Sequence, residues 1–254
     1  MGDNIRDRER ARKKIKRKRK KQLYKRVGIG IVIVVLIIGW SLAFQIQEIQ
    51  VEGNRFLSKE EVRSYVKKQS TTQNSLILLL QTKNGNYPVL DTAESMSFQM
   101  VNPWTIKVKV KEKEPVFSFE DNGNYICLDR EGTVLARTKK QEKGTIRIEG
   151  LNTKNIKKGK KIAVQNPAIF EEILEVSRTL ESTKLDVDRI LCDGENITLY
   201  FEEIQVNLGN GGQREKVNQL SAILPNLKGQ KGILHLEHFG EGMQTIYFEK
   251  AEQK

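Results

Sequence analysis

A metal site, a phosphate loop, a carboxylate pair and a disulfide are the chemistries that residue types in this chain could support, and each depends on spacing. His235 and His238 are the only histidines. In the strand expected over residues 233–238 their odd separation turns them to opposite faces, so they cannot share a metal without a bulge. Gly209-Asn210-Gly211-Gly212 is glycine-rich. It lacks the Lys-Ser/Thr that a phosphate loop needs and reads as a turn before a helix. Glu171-Glu172 and Glu202-Glu203 are neighbours in sequence and read as solvated carboxylates. Cys127 and Cys192 stand 65 positions apart without metal spacing, in the apolar contexts YICLD and RILCD. A buried free thiol is the expectation there, with a bridge as the alternative. No GxSxG, HExxH or Rossmann fingerprint is present. The chain is therefore expected not to be an enzyme, and no catalytic residue, cofactor or metal is assigned.

The element that must position everything else is the apolar run at residues 27–44, VGIGIVIVVLIIGWSLAF, eighteen residues without a charge. At about 1.5 Å per residue it reaches roughly 27 Å, close to the hydrocarbon thickness of a bilayer. It reads as one transmembrane helix, assigned to residues 27–46. A cleaved signal peptide is the competing reading, with Ser41 and Ala43 small enough for a cleavage site. The length of the basic region and of the apolar run argues against it. A helix buried in a soluble core fits less well, being apolar all round and preceded by fourteen cations.

Residues 1–26 carry fourteen Lys and Arg against three acids, or +11, whereas the other 228 residues carry thirty against twenty-nine, or +1. The overall charge of +12 therefore belongs to the tail. It reads as a cytoplasmic segment, disordered or a fraying helix, that orients the anchor and lies along anionic headgroups. Specific nucleic-acid binding is not expected, since contact by such a tail would have no sequence preference.

Beyond the anchor, alternation at Ile49 and Val51 marks a strand closed by Gly53-Asn54. Ser58-Lys59-Glu60-Glu61 is a capping box that opens a helix over residues 58–68. A second helix is expected at 71–81, stopped by residues 84–88. Strands follow at 93–100 and 105–111, linked by Val101-Asn102-Pro103-Trp104. The order β-α-α-β-β predicts a small sheet covered by two helices. The alternation breaks at Glu112-Lys113-Glu114-Pro115, and a boundary is placed there. Short strands with meander signals then occupy 116–119, 125–128, 133–135 and 145–148. Asn166-Pro167 caps a helix with Ile169, Phe170, Ile173, Leu174 and Leu180 inward. A hairpin at 189–192 and 197–201, a strand at 204–208, a helix at 213–227 and strands at 233–238 and 245–248 complete the chain. The fold class is α+β, with an N-terminal transmembrane helix, a small domain at 47–113 and a larger mixed domain at 114–254.

This order of pieces resembles the FtsQ/DivIB family of bacterial cell-division proteins over nearly the whole chain. IQEIQVEGNRFLSKEEV resembles the opening of the family's POTRA domain and VNPWTIKVKVKEKEPV its end. CLDREGTVLA, the helix from Asn166, VNLGNGGQREKVNQLSAIL and LHLEHF follow in the family's order. The sequence departs from the family at Glu237 and His238, where an Arg and an aromatic often stand. The resemblance implies a non-enzymatic scaffold at the division septum, type II in the cell membrane, that regulates septal wall synthesis with partners of the FtsL and FtsB or DivIC type. It also implies that the last strand, 244–249, receives a strand from such a partner. The partner-binding residues expected on that ground are Thr245, Ile246, Tyr247 and Phe248, with the two aromatics as anchors and one of them turned into the core. A membrane-anchored POTRA chaperone or secretion component, binding extended clients along 46–51 or 93–100, is the alternative.

Overall fold

The structure, a computed structural model, describes residues 3–69, 73–83, 85, 87–240 and 245–251, with side chains from Lys20 onward. Helix α1 (Asp3–Ala43) is continuous through the basic tail and the apolar run, so of the two alternatives for the tail, disorder or a fraying helix, the structure has a helix. Its segment Lys20–Ala43, 24 residues with an 18-residue window of mean hydropathy 2.3 that is not buried at all, is long and apolar enough to cross a membrane.

The chain divides into two units. The first comprises residues 1–52, 59–88 and 97–109. It is built on a three-stranded sheet ordered β1-β3-β2, from β1 (Glu48–Glu52), β2 (Ala93–Asn102) and β3 (Thr105–Glu112). The central strand β3 pairs in parallel with β1, placing Val51 beside Val108. Ile49, Val51, Ile106 and Val108 are all buried, as strict alternation requires of a sheet with one dry face. Helix α2 (Lys59–Gln69) packs on β1 with Val62 and Val66 inward. Helix α3 (Ser75–Lys83) begins later than expected because Asn74 caps it, its Oδ1 accepting from the amides of Leu76 and Ile77 at 3.0 and 3.2 Å. The expected start at Thr71 and stop at Asn84 lie outside the described residues. Strand β2 runs two residues past its expected end, and Asn102 Oδ1 closes the turn by accepting from Trp104 N at 3.1 Å.

The second unit comprises residues 53–58, 89–96 and 110–254. Its nine-stranded sheet is ordered β14-β13-β12-β11-β10-β7-β4-β5-β6. The strands are β4 (Phe117–Asp121), β5 (Asn124–Leu128), β6 (Val134–Thr138), β7 (Ile146–Glu149), β10 (Arg189–Asp193), β11 (Asn196–Phe201), β12 (Ile204–Gly209), β13 (Gly232–His235) and β14 (Tyr247–Lys250). A two-residue pair, β8 (Thr153–Lys154) with β9 (Ala163–Val164), stands apart from that sheet. Contrary to the meander expected up to residue 148, β7 leaves β6 and pairs in parallel with β4 and β10. Parallel neighbours need a crossover, and helix α4 (Pro167–Thr183) supplies the one between β7 and β10. Asn166 caps α4 as expected, accepting from Ala168 and Ile169. Helix α5 (Gln213–Ile223) connects the parallel pair β12 and β13 and packs against α4. Pro225 converts the expected end of that helix into a 3-10 turn, Leu224–Leu227.

Phe117, Ile126, Leu128, Ile148, Ile190, Leu199 and Val206 from the sheet, with Ile173, Leu174, Val217 and Leu220 from the helices, form one core. The turn of CLDREGTV seals one side. Asp129, itself buried, accepts from the amides of Glu131 and Thr133 at 2.9 and 2.7 Å and pairs with Lys113 Nζ at 2.8 Å. Gly132, at φ 80°, leaves the space into which the Phe170 ring packs, since a Cβ there would lie 2.5 Å from it. Cys127 and Cys192 are both buried and free. Burial pushes the Cys192 thiol up to about 12 and also raises that of Cys127, so neither is a ready nucleophile.

Candidate functional site: the open edge of the large sheet

The edge begins with the glycine turn after β12. Gly209, Gly211 and Gly212 all take φ between 63° and 67°, a region that L side chains enter at a cost. At Gly209 there is also no room, because a Cβ would come within 2.9 Å of Glu237 Cβ. The turn wraps a lysine, not a phosphate. Lys216, buried on the first turn of α5, donates from Nζ to the carbonyls of Leu208 at 2.8 Å, Asn210 at 3.0 Å and Glu237 at 3.2 Å. Three segments, the end of β12, its turn and the chain after β13, are thereby tied to one cation. The sequence reading did not single out Lys216, although a glycine-rich turn with a lysine four residues after its last glycine was the available signal.

This tie fixes where β13 ends. Leu236 N donates to Asn207 O at 2.9 Å, then Glu237 and His238 turn away, so the strand expected to 238 stops at His235. His235 and His238 accordingly lie in different local structures, not on two faces of one strand. Among the described residues no group of three or more metal-ligating side chains forms. His235 Nδ1 bonds Glu237 Oε1 at 2.8 Å, and its ring stacks on Tyr247 with centroids 4.3 Å apart and planes at 8°.

Strand β14 is the outermost strand of the described sheet and pairs antiparallel with β13, setting Tyr247 opposite His235 and Phe248 opposite Leu234. It lies two residues later than expected. Of the four residues nominated for partner binding, Tyr247 and Phe248 fall in the strand, and Thr245 and Ile246 just precede it. Gln244 lies outside the described residues. Phe248 and Ile246 pack against the core, while Tyr247 stays 52% exposed. Hydrogen-bonded pairs alternate along an antiparallel ladder. Ala251 N donates to Lys231 O at 2.9 Å and sets the phase. The pairs Glu249 with Ile233 and Tyr247 with His235 are therefore the bonded ones, and Phe248 and Lys250 direct amide and carbonyl to the open side. Lys250 lies one residue beyond even the longer stretch, 244–249, that the resemblance implies for the last strand.

Burial alone would raise the Glu237 carboxyl, but the bond to the His235 imidazole, a bond to its own backbone amide and the nearby His235 and His238 rings hold it below the ordinary value of 4.5. A carboxyl whose value falls on folding stabilises the fold above its unfolded pKa, and that contribution disappears as pH drops through the folded value. Glu237→Gln is expected to flatten the acid limb of stability below about pH 4.5 and to leave its slope near neutrality unchanged. Urea midpoints of the two proteins measured across that range check it, and parallel acid limbs would exclude Glu237 as the group responsible.

One apolar N-terminal helix, long enough to cross a membrane, precedes α+β units whose large sheet ends, among the described residues, at β14. Residues 119–239 match the family described as cell division protein FtsQ/DivIB, C-terminal. The chain is 28% identical over 215 residues to the cell division protein DivIB of Clostridium acetobutylicum, covering 80% of this chain and 83% of that protein. It is 24% identical over 218 residues to DivIB of Clostridium botulinum, covering 82% and 83%. Together these similarities support an FtsQ/DivIB-family cell-division protein.

Proposed function

We propose that this protein is a non-enzymatic scaffold of the bacterial divisome, held by α1 with its N-terminus in the cytoplasm and its folded parts outside. On this reading residues 1–26 are the basic tail, 27–46 the membrane segment, 47–113 a POTRA-like domain that aids recruitment, and 114–254 the domain that docks an FtsL with FtsB or DivIC pair and so regulates septal wall synthesis. The positive-inside rule supports the orientation, because +11 precedes the apolar run. The observation that carries the docking role is β14 itself, whose Phe248 and Lys250 main-chain groups face outward beside the exposed Tyr247. Such an edge accepts a partner's strand, with main-chain bonds supplying affinity and side chains supplying selection.

Lys250→Pro removes one outward amide and leaves the bonds of Tyr247 and Glu249 to β13 in place. The expected result is partner-ectodomain binding weaker by about tenfold, the value of one main-chain bond near the top of its usual range. Wild-type affinity in this variant would remove β14 as the docking edge. In cells, a fluorescent fusion is expected as a midcell band and depletion as filaments. An even membrane ring with normal division would instead favour the chaperone or secretion reading, for which the outer strand β2 offers ten residues of edge.

A further inference from the structure

The outward face of α3 is apolar where a surface helix is ordinarily polar. Leu76, Ile77 and Leu80, spaced to share one side of the helix, are 38%, 40% and 56% exposed, while Ser75 and Leu78 turn inward. Trp104, in the β2–β3 turn, is 48% exposed. Within the first unit these residues are joined to the end of α1 by hydrogen bonds. Asn74 Nδ2 donates to Ser41 O at 3.4 Å, Ser75 N to Phe44 O at 2.8 Å, and Ile46 N to Gln73 O at 2.7 Å. Gln47 and Glu48 both donate their amides to Trp104 O, at 2.9 and 3.2 Å. The first residue of α3 and the β2–β3 turn therefore lie one hydrogen bond from the residues at which the apolar run stops.

From this placement we infer that α3 and the β2–β3 turn form a second, interfacial membrane contact, with Leu76, Ile77, Leu80 and Trp104 seated in the headgroup and upper acyl region of the leaflet that α1 leaves. The inference rests on α1 spanning the bilayer. Distance supports it, because Leu80 lies five residues from Ser75, at most about 7.5 Å along a helix axis. The layer between hydrocarbon and water is about 5–8 Å thick on each side, so Leu76 and Ile77 stay within it and Leu80 reaches no further than about its outer limit even if α3 points straight outward. Composition supports it as well. The chain has two tryptophans, Trp40 one turn before Phe44 and Trp104 bonded to residues just after it, so they flank the level at which the apolar run stops. Tryptophan favours that level because its ring is apolar and its N–H is polar. An apolar helix face lying in the interface buries about 5–10 Å deep, which suits a nine-residue helix with three large apolar side chains outward. The contact would fix the first unit against the membrane at two points, the crossing helix and the seated α3, and so limit its rotation about α1.

Single-tryptophan versions of the full chain, reconstituted into phosphatidylglycerol and phosphatidylcholine vesicles, test this. Trp40→Phe leaves Trp104 as the reporter, and lipids brominated high on the acyl chain are expected to quench the larger part of its emission. Lipids brominated near the bilayer centre are expected to quench it far less. Adding Leu76→Gln, Ile77→Asn and Leu80→Gln should return Trp104 to aqueous iodide. Trp104→Phe leaves Trp40, which tests the anchor separately: Trp40 quenched by lipid bromine with Trp104 quenched only by iodide overturns the seated α3 alone. Neither tryptophan quenched by lipid overturns the membrane crossing itself. A photo-crosslinker at Leu80 is expected to give a lipid adduct, and a protein adduct, to a second copy or to a partner's helix, overturns the lipid assignment.

Discussion

Replacing Lys216 by methionine is expected to destabilise the second unit by about 3 kcal/mol or more. Methionine keeps most of the apolar stem but removes the ammonium, leaving the carbonyls of Leu208, Asn210 and Glu237 without that donor. A buried carbonyl deprived of its partner costs about 1–3 kcal/mol; that of Leu208 bears the full cost and the part-buried ones of Asn210 and Glu237 add less each. Against a total stability of about 5–15 kcal/mol for a domain this is a large fraction. Arginine is not expected to rescue, because a planar fork cannot converge three donors where one tetrahedral ammonium does. Thermal unfolding of the detergent-solubilised chain measures the loss, and amide exchange locates it. Protection should fall first in β12, the glycine turn and the segment after β13. A midpoint within about 1 °C of wild type would show the lysine to be dispensable, since 1 kcal/mol alone moves the midpoint by about 2–8 °C.

Tyr247→Ala and Phe248→Ala are expected to separate binding from folding, although the two residues are neighbours. Tyr247 is exposed and stacks on His235, a contact worth about 0.5–1.5 kcal/mol. Its removal should lower stability by about that much and weaken partner binding by about 2 kcal/mol or more, roughly thirtyfold, as truncation of an aromatic anchor does. Phe248 packs against the core and should behave in the opposite way, with a stability loss of about 2 kcal/mol that is reduced from the usual 3–5 because the ring is only half-buried. Isothermal titration with the partner ectodomain, beside urea unfolding, gives both numbers. Unchanged affinity in Tyr247→Ala would deny that residue any anchoring role.

What the sequence could disclose was set by how local each feature is. The cap at Asn166, the alternation of β3 and the hairpin at β10 and β11 depend on neighbours within a few residues, and the structure has all three. The parallel seat of β7 between β4 and β10 depends on a crossover of some forty residues, which no local pattern encodes. The end of β13 was misplaced because apolar and polar residues keep alternating through Leu236, Glu237 and His238. What stops the strand is Glu237 crossing over Gly209, a contact 28 positions away in sequence. Lys216 was missed for a related reason. A lysine reads as a solvated head unless three carbonyls from distant segments converge on it. In the edge, alternation assigned one of Tyr247 and Phe248 to the core, and the register opposite β13 decides that it is Phe248. The late position of β14 within its stretch was not readable, since Thr245 and Ile246 are as good strand formers as the residues that follow.

The order of the large sheet also has a temporal meaning. From β10 onward each strand is laid beside the one made just before it, β10 then β11, β12, β13 and β14. A chain synthesised from its N-terminus therefore exposes a succession of provisional edges, each covered when the next strand arrives. The side of the sheet that β14 leaves open exists only once Tyr247–Lys250 has emerged. A copy cut short before Tyr247 would display β12 or β13 instead, with a different register and different side chains. Synthesis past Lys250 is thus a precondition for presenting β14, and the edge a partner would meet is the last of this sheet to be made.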